Sequence, residues 1–307
     1  MAGRVYVGVA SYDRPRVLSL CLRSLRFCGV DAVLVEADAS TRSVAEEYED
    51  VLVEASASMS VEWHVHLGRR GSPAARNAVL RRARSVMLDD DTLVLYDDDY
   101  VCPGPRAVHA AALRLSSSDT GVGVVGGRVV NLKRRRRDPD FSLNVLPGLA
   151  DALTRLTGFV FLDTRHGPRI VERTTPLMAL RRSVLDAGVA YDPSYAGTGY
   201  REESDFQRQV RERGFSIVYE PSFTALHLCV EDGGNRGFDV GERFYWKARN
   251  HLLYSMRMGS GFAKRVAGLA VIALYAALHG ATALSAVARG VRDAAGVRGG
   301  EVGSGGA

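Results

Sequence analysis

Three consecutive aspartates, Asp97, Asp98 and Asp99, follow directly on the apolar run TLVLY (92–96). Carboxylates crowded at a strand end repel one another unless a cation joins them. Hard oxygen donors select Mg2+ or Mn2+, ions that keep water and bind the phosphates of a substrate. A D-x-D spacing alone is a weak signal, since a solvated acidic turn produces it as readily. The run Asp89-Asp90-Asp91 is such a turn, because it precedes its strand instead of following it. A second acidic feature, Glu202-Glu203, opens a helix predicted over 202–213 whose apolar residues are Phe206 and Val210. Helical periodicity sets Glu203 nearer the centre of that apolar face than Glu202. An inward-pointing acid is either paired or functional, for instance as a general base. The plain alternative is that acids favour the first turn of any helix through its dipole.

The elements that must position these groups are regular over the first hundred residues. A buried strand is predicted at 4–10. Asp13 is expected to cap a helix with Pro15 in its first turn and Leu18, Cys21, Leu22 and Leu25 on one face, ending near Gly29. Strands at 32–36 and 61–67, the loop GRRGSP, a basic helix at 73–85 and the strand 92–96 follow. Such alternation implies a mainly parallel sheet with right-handed crossovers. Ligands of these sheets sit beyond the carboxyl ends of the strands, where the aspartate run lies. Further on come a strand at 122–131, the charge run KRRRR (133–137), a hairpin over 158–180 around Arg165-His166-Gly167-Pro168, and a strand at 215–220 leading to His227. Residues 231–241 are Gly-rich, read as a mobile loop with a lid as the alternative. Residues 242–258 read as a helix mixing aromatic and basic side chains.

The net charge of +5, from 40 basic and 35 acidic residues among 307, suits a phosphate-bearing substrate or an anionic membrane and is too small to point to nucleic acid. Cys21, Cys28, Cys102 and Cys229 show no metal-binding spacing and read as reduced thiols of a cytosolic protein. The first strand begins so early that no signal peptide is expected. Residues 266–288 carry no formal charge, between Lys264-Arg265 and Arg289 with Arg292. That stretch is long enough for a bilayer, but nine alanines, His279, Thr282 and Ser285 make insertion marginal. Membrane association is expected, by spanning or by lying flat. The Gly-rich end is expected to fray.

Together these features resemble the family 2 inverting glycosyltransferases of the GT-A fold over roughly residues 4–255. The motifs are GVASYDRP (8–15), VEADAS (35–40), SPAARNAVLRRA (72–83), VLYDDDYVCP (94–103), PLMALRRSVL (176–185) and GYREESDFQRQVRERGF (199–215). Each is short, and it is their order and spacing that are specific. The resemblance implies an α/β, Rossmann-like, mainly parallel sheet flanked by helices. The catalytic domain would cover 1–258, an apolar helical membrane-associated extension 259–290, and a flexible tail 291–307.

It also implies roles for single residues. Ala10, Ser11, Tyr12 and Arg14 would line the nucleotide pocket. Asp38, with Glu36 as stand-in, would read the base or ribose. Arg76, beside Asn77, would approach the diphosphate. Asp97 and Asp98 would face the donor. Asp97 and Asp99 would flank an Mn2+ or Mg2+ ion, Asp99 being closest, with His227 as a further ligand. Glu203 falls where the family places its base, although the Glu-Glu pair leaves Glu202 open.

The implied reaction moves a sugar from a nucleotide-diphosphate donor to a glycan or lipid-linked acceptor by one inverting displacement, in the cytoplasm at the inner face of the cell membrane. Two rivals are a nucleotidyltransferase and a non-catalytic, membrane-tethered nucleotide-sugar binder. The first expects a Gly-rich loop where ASYDRPR stands, and the second does not account for both acidic features.

Overall fold

The computed structural model describes residues 3–132, 147–160, 167–230, 233–234 and 238–296. The chain opens with β1 (Val5–Tyr12), α1 (Pro15–Leu25), β2 (Ala32–Ala39), α2 (Arg42–Ser56), β3 (Val61–Leu67), α3 (Ser72–Val86) and β4 (Thr92–Asp97). These strands pair parallel in the order β3-β2-β1-β4, as the strand–helix alternation requires. The register sets Ala10 beside both Glu36 and Asp97, so the ends of three strands deliver their polar residues to one edge.

The second half is mixed. It comprises β5 (Tyr100–Val101), α4 (Pro105–Ser117), β6 (Val122–Asn131), α5 (Pro147–Thr157), β7 (Arg169–Val171), β8 (Met178–Arg181), α6 (Arg182–Asp186), α7 (Glu202–Glu212) and β9 (Ser216–His227). β8 enters antiparallel between β4 and β6, β9 runs parallel to β6, and β5 and β7 pair antiparallel with β9. Among the described residues the hairpin expected over 158–180 is not formed. β7 pairs with β9, and β8 pairs with β4 and β6, because the apolar run at 177–180 is buried on both faces and suits a central strand. Residues 161–166 of that expected hairpin, like the run 133–137 and the tail beyond 296, lie outside the described residues.

Two apolar clusters sandwich the sheet. One joins α1, α2 and α4 to one face through Leu18, Leu22, Leu25, Tyr48, Val108 and Phe223. The other joins α3, α6 and α7 to the opposite face. Cys28 and Cys102 form a disulfide between the end of α1 and the segment after β5, which corrects the reading of these two as reduced thiols. The buried ends of α1 and β5 meet there, and the Cys102 N–H also donates to Ser24 Oγ at 3.0 Å. Spacing along the chain gives no hint of a contact that only the fold creates. Cys21 and Cys229 are free thiols.

The chain closes with α8 (Val240–Arg257), α9 (Phe262–Ala277) and α10 (Ala281–Gly296). The uncharged stretch is thus two helices broken at Gly280 (φ +100°), not one. No helix among the described residues is long and apolar enough to cross a membrane. α10 also runs past residue 290, because Ala283, Ala286, Val287, Gly290 and Ala294 repeat at helical spacing and pack on α8. A Cβ at Gly290 would come within 2.4 Å of the Tyr245 carbonyl oxygen, so the two helices touch backbone to backbone.

Candidate active site

The carboxyl edge of β1, β2 and β4 meets the start of α7 and the end of β9. Asp98 turns inward. It accepts from Ser11 Oγ at 2.7 Å and pairs with Arg14 Nη1 at 3.3 Å. Ser11 Oγ shares a 2.7 Å hydrogen bond with the Tyr48 hydroxyl, which accepts from the Arg14 N–H at 2.8 Å. Burial pushes the Asp98 carboxyl up to about 6, against the pull of Arg14. Asp98 therefore braces the first strand–helix turn. Asp13 does not cap α1 as expected. Its carboxylate accepts from the Ser40 N–H at 2.8 Å and ties the turn to the end of β2.

Asp99 Oδ2 lies 3.1 Å from His227 Nε2 and 3.5 Å from Arg14 Nη1. His227 Nδ1 is 2.7 Å from Asn131 Oδ1, a neighbour that fixes the ring. Asp99 and His227, both expected as ligands of an ion, are brought side by side by β5 and β9. Asp97 is not drawn into that pair. Its Oδ1 accepts from Arg76 Nη2 at 2.8 Å.

Arg76 also reaches Glu203 Oε1 at 3.1 Å through Nη1 and Glu202 Oε1 at 3.5 Å through Nε, with the Tyr191 ring 5.3 Å away. One guanidinium thus joins the end of β4 to the start of α7. Of the two glutamates, Glu202 is the inner one, with its side chain 2% exposed against 22% for Glu203. This reverses the ordering read from periodicity. The buried arc of α7 includes the polar residues Asp205 and Gln207, so its centre lies away from the midpoint of Phe206 and Val210. Glu202 Oε1 accepts from Ser72 Oγ at 2.5 Å, and its Oε2 has no partner among the described residues. Burial raises Glu202 to about 8, against the pull of Arg76 and of the Ser72 hydroxyl. Burial also raises Glu203, which Arg76 opposes.

The residues expected to line a nucleotide pocket are held by partners that the sequence did not identify. Both Asp38 oxygens accept from Arg70, from its N–H and its Nε, each at 2.8 Å. Glu36 takes Arg82 at 2.7 Å, His66 at 3.0 Å and Arg70 at 3.2 Å. Glu36, His64 and His66 approach closely enough to share a metal ion. Arg82 contacts both Glu36 and His64, so a guanidinium already supplies the cation there. The Arg69 guanidinium lies over the rings of both Tyr12 and Phe238, each 4.9 Å away. The basic loop GRRGSP was visible in the sequence, but the partners of its two arginines were not.

Two further anchors come from distant segments. Arg14 Nη2 donates to the Gly233 carbonyl at 3.0 Å. Gly233 and Gly234 both have positive φ, and a Cβ at either would strike Arg14 within 2.8 Å. That part of the Gly-rich segment is packed on the site; its neighbours 231–232 and 235–237 lie outside the described residues. Arg201, in the left-handed region at φ +77°, starts α7 and is buried. It donates to His251 Nδ1 at 3.0 Å from Nη2 and to the Gly158 carbonyl from Nη1, among the rings of Phe159, Tyr200 and Tyr254. A non-glycine residue held in that conformation beside a site carries strain that its contacts must outweigh.

The chain matches Glycosyltransferase like family 2 over residues 2–236 and belongs to that family. It is a glycosyltransferase, and its architecture is shared with solved GT-A enzymes. A mannosyltransferase, PcManGT from Pyrobaculum calidifontis, solved with GDP-Man and Mn2+, is 20% identical with a TM-score of 0.56 over 99% of this chain and 77% of its own. Residues 1–349 of S. aureus TarS are 12% identical with a TM-score of 0.52 over 98% and 93%. GalNAc-T7, solved with UDP, GalNAc and Mn2+, is 13% identical with a TM-score of 0.56 over 84% and 51%. No curated protein sequence matches significantly. The nucleotidyltransferase and binder readings give way to the family.

Proposed function

We propose that the protein transfers a sugar from a nucleotide diphosphate to a glycan or lipid-linked acceptor, with inversion and with a divalent ion. The observation that carries this reading is the Arg76 guanidinium, which joins Asp97 at the donor edge to Glu203 at the start of α7. The acceptor oxygen attacks the anomeric carbon while the bond to the diphosphate oxygen breaks, and the electron pair leaves with the diphosphate. Glu203, the more accessible acid, takes the acceptor proton. Glu202, raised by burial, accepts from Ser72 and lies against Arg76. Arg76 lies where a departing phosphate meets positive charge. An acceptor that is itself a phosphate needs no base.

The oxygen and imidazole donors of Asp99 and His227 suit Mn2+ or Mg2+, and Asp97 would join them only by releasing Arg76. Such an ion, when bound, neutralises charge developing on the diphosphate. Support for a nucleotide-sugar donor and Mn2+ also comes from the GDP-Man and UDP complexes of the similar structures.

The same reading places the enzyme at the inner face of the cell membrane, supported by its basic, apolar C-terminal helices. The Cys28–Cys102 disulfide weighs the other way, since such bonds persist mainly in oxidising compartments. Alkylating thiols at the moment of cell lysis decides between them: a free Cys28 in cells fits the cytoplasmic placement.

The reaction is tested by incubating the protein with UDP-, GDP- and dTDP-sugars, Mn2+ or Mg2+, and glycan and polyprenyl-phosphate acceptors. Release of nucleotide diphosphate with one donor, lost on adding EDTA, is expected. Release that persists unchanged in EDTA would overturn the metal requirement. A product that retains the anomeric configuration would overturn the inverting step.

A further inference from the structure

The outer half of α9 is apolar and uncovered. Phe262 is 82% exposed, Leu274 70% and Leu278 60%, and Val266, Ala270 and Ala277 share that side. At 100° per residue these six fall within one half of the helical circumference, and Lys264 at its edge is the charged residue there. The opposite side, through Gly268, Ile272 and Ala276, packs on the protein. The neighbouring helix α5 adds exposed Leu149 and Leu156. So large an uncovered apolar surface marks a binding face.

Charge points to the occupant. From Arg243 to Arg292 the chain holds eight Lys and Arg and no Asp or Glu. The rest of the chain holds 32 basic against 35 acidic residues. A second copy would set one basic segment against another, whereas an anionic bilayer complements it. α9 has 16 residues, about 24 Å of helix, short of the roughly 30 Å hydrocarbon core. Gly280 breaks it from α10 before it could lengthen.

We infer that the outer face of α9 lies flat in the headgroup boundary of an anionic bilayer, with Phe262, Val266, Leu274 and Leu278 in the acyl region. Apolar burial and attraction to anionic lipid act together at such a site. This binding is separate from sugar transfer, because it needs neither donor nor divalent ion.

The full chain, without detergent, is sedimented with vesicles of phosphatidylcholine alone or mixed with phosphatidylglycerol. Binding is expected to rise with phosphatidylglycerol content and to fall with salt. Lys264→Gln should weaken it about fivefold. Leu274→Asp combined with Phe262→Asp should abolish it while circular dichroism and thermal midpoint stay near wild type. Should that pair misfold, Leu278→Gln gives the milder test, with a several-fold loss expected. The inference fails if wild type stays in the supernatant with both vesicles, or if the variants bind as well as wild type. It also fails if wild type is a stable dimer that Leu274→Asp turns into monomers, since a second copy would then cover the face.

Discussion

Asp99 and His227, 128 residues apart, bring Oδ2 and Nε2 within 3.1 Å because β5 and β9 pair antiparallel at the neighbouring residue, Tyr100 opposite His227. A carboxylate and an imidazole at this distance can hold one ion between them once the direct contact opens. Asp99→Asn is expected to cut divalent-ion-dependent turnover at least about 100-fold, and His227→Ala about tenfold. Calorimetric titration with Mn2+ in the presence of nucleotide diphosphate checks the cause. Unchanged ion affinity in both variants would move the metal elsewhere.

Glu203 and Glu202 are adjacent but differ in access. Glu203→Gln should lower turnover by about 100- to 10,000-fold with a glycan acceptor while donor affinity holds, as removal of a general base does. Glu202→Gln keeps a neutral group of the same shape against Ser72 and should cost far less. Equal losses in the two would assign the base role to neither alone.

Acid in the core also sets a pH dependence of stability. Glu202 rises from 4.5 to about 8 and Asp98 from 3.8 to about 6, both through burial. Each group keeps its proton in the fold after the unfolded chain has lost it. Their contribution is full below about pH 4 and is lost as pH climbs towards about 8. Thermal midpoints measured across that range should therefore decline, and Glu202→Gln should flatten the decline and be more stable than wild type near pH 8. A wild-type midpoint that rises over the same range would contradict these shifts.

The Cys28–Cys102 bridge spans 74 residues and encloses β2, β3, β4 and all three aspartates. Restriction of the unfolded chain over a loop of that length is worth about 4 kcal/mol. Reduction, or Cys28→Ser, should lower the thermal midpoint by several degrees, read by calorimetry with and without reductant.

Much of the donor half was legible because its signals are local. Apolar runs, a proline at a helix start and an acid cluster after a strand each depend on a few adjacent residues. The antiparallel insertion of β8 was not legible, since a short buried strand carries no periodicity that names its neighbour. Glu202 was misplaced for a related reason. Asp205 and Gln207 are buried with hydrogen bonds to Tyr195 and Thr174, partners that only tertiary structure brings near. Likewise, Arg70 holds Asp38 across 32 residues, and the sequence showed only that both groups exist.

Gly268 of α9 fits against His251, where an added methyl would fall 2.1 Å from Nε2. Burial holds that histidine neutral, down to about 2, so its Nδ1 stays an acceptor for Arg201, the residue immediately ahead of Glu202 and Glu203. The outermost helix is therefore geared to the acid pair through two side chains, with no slack linker between them. Were α9 seated on lipid as inferred above, this linkage would work as a ruler. Packing would fix the height of Glu203 above the bilayer, and a lipid-anchored acceptor would have to present its reactive oxygen at that height. Gly268→Ala would lengthen the ruler, and its effect should be larger on lipid-anchored acceptors than on soluble ones.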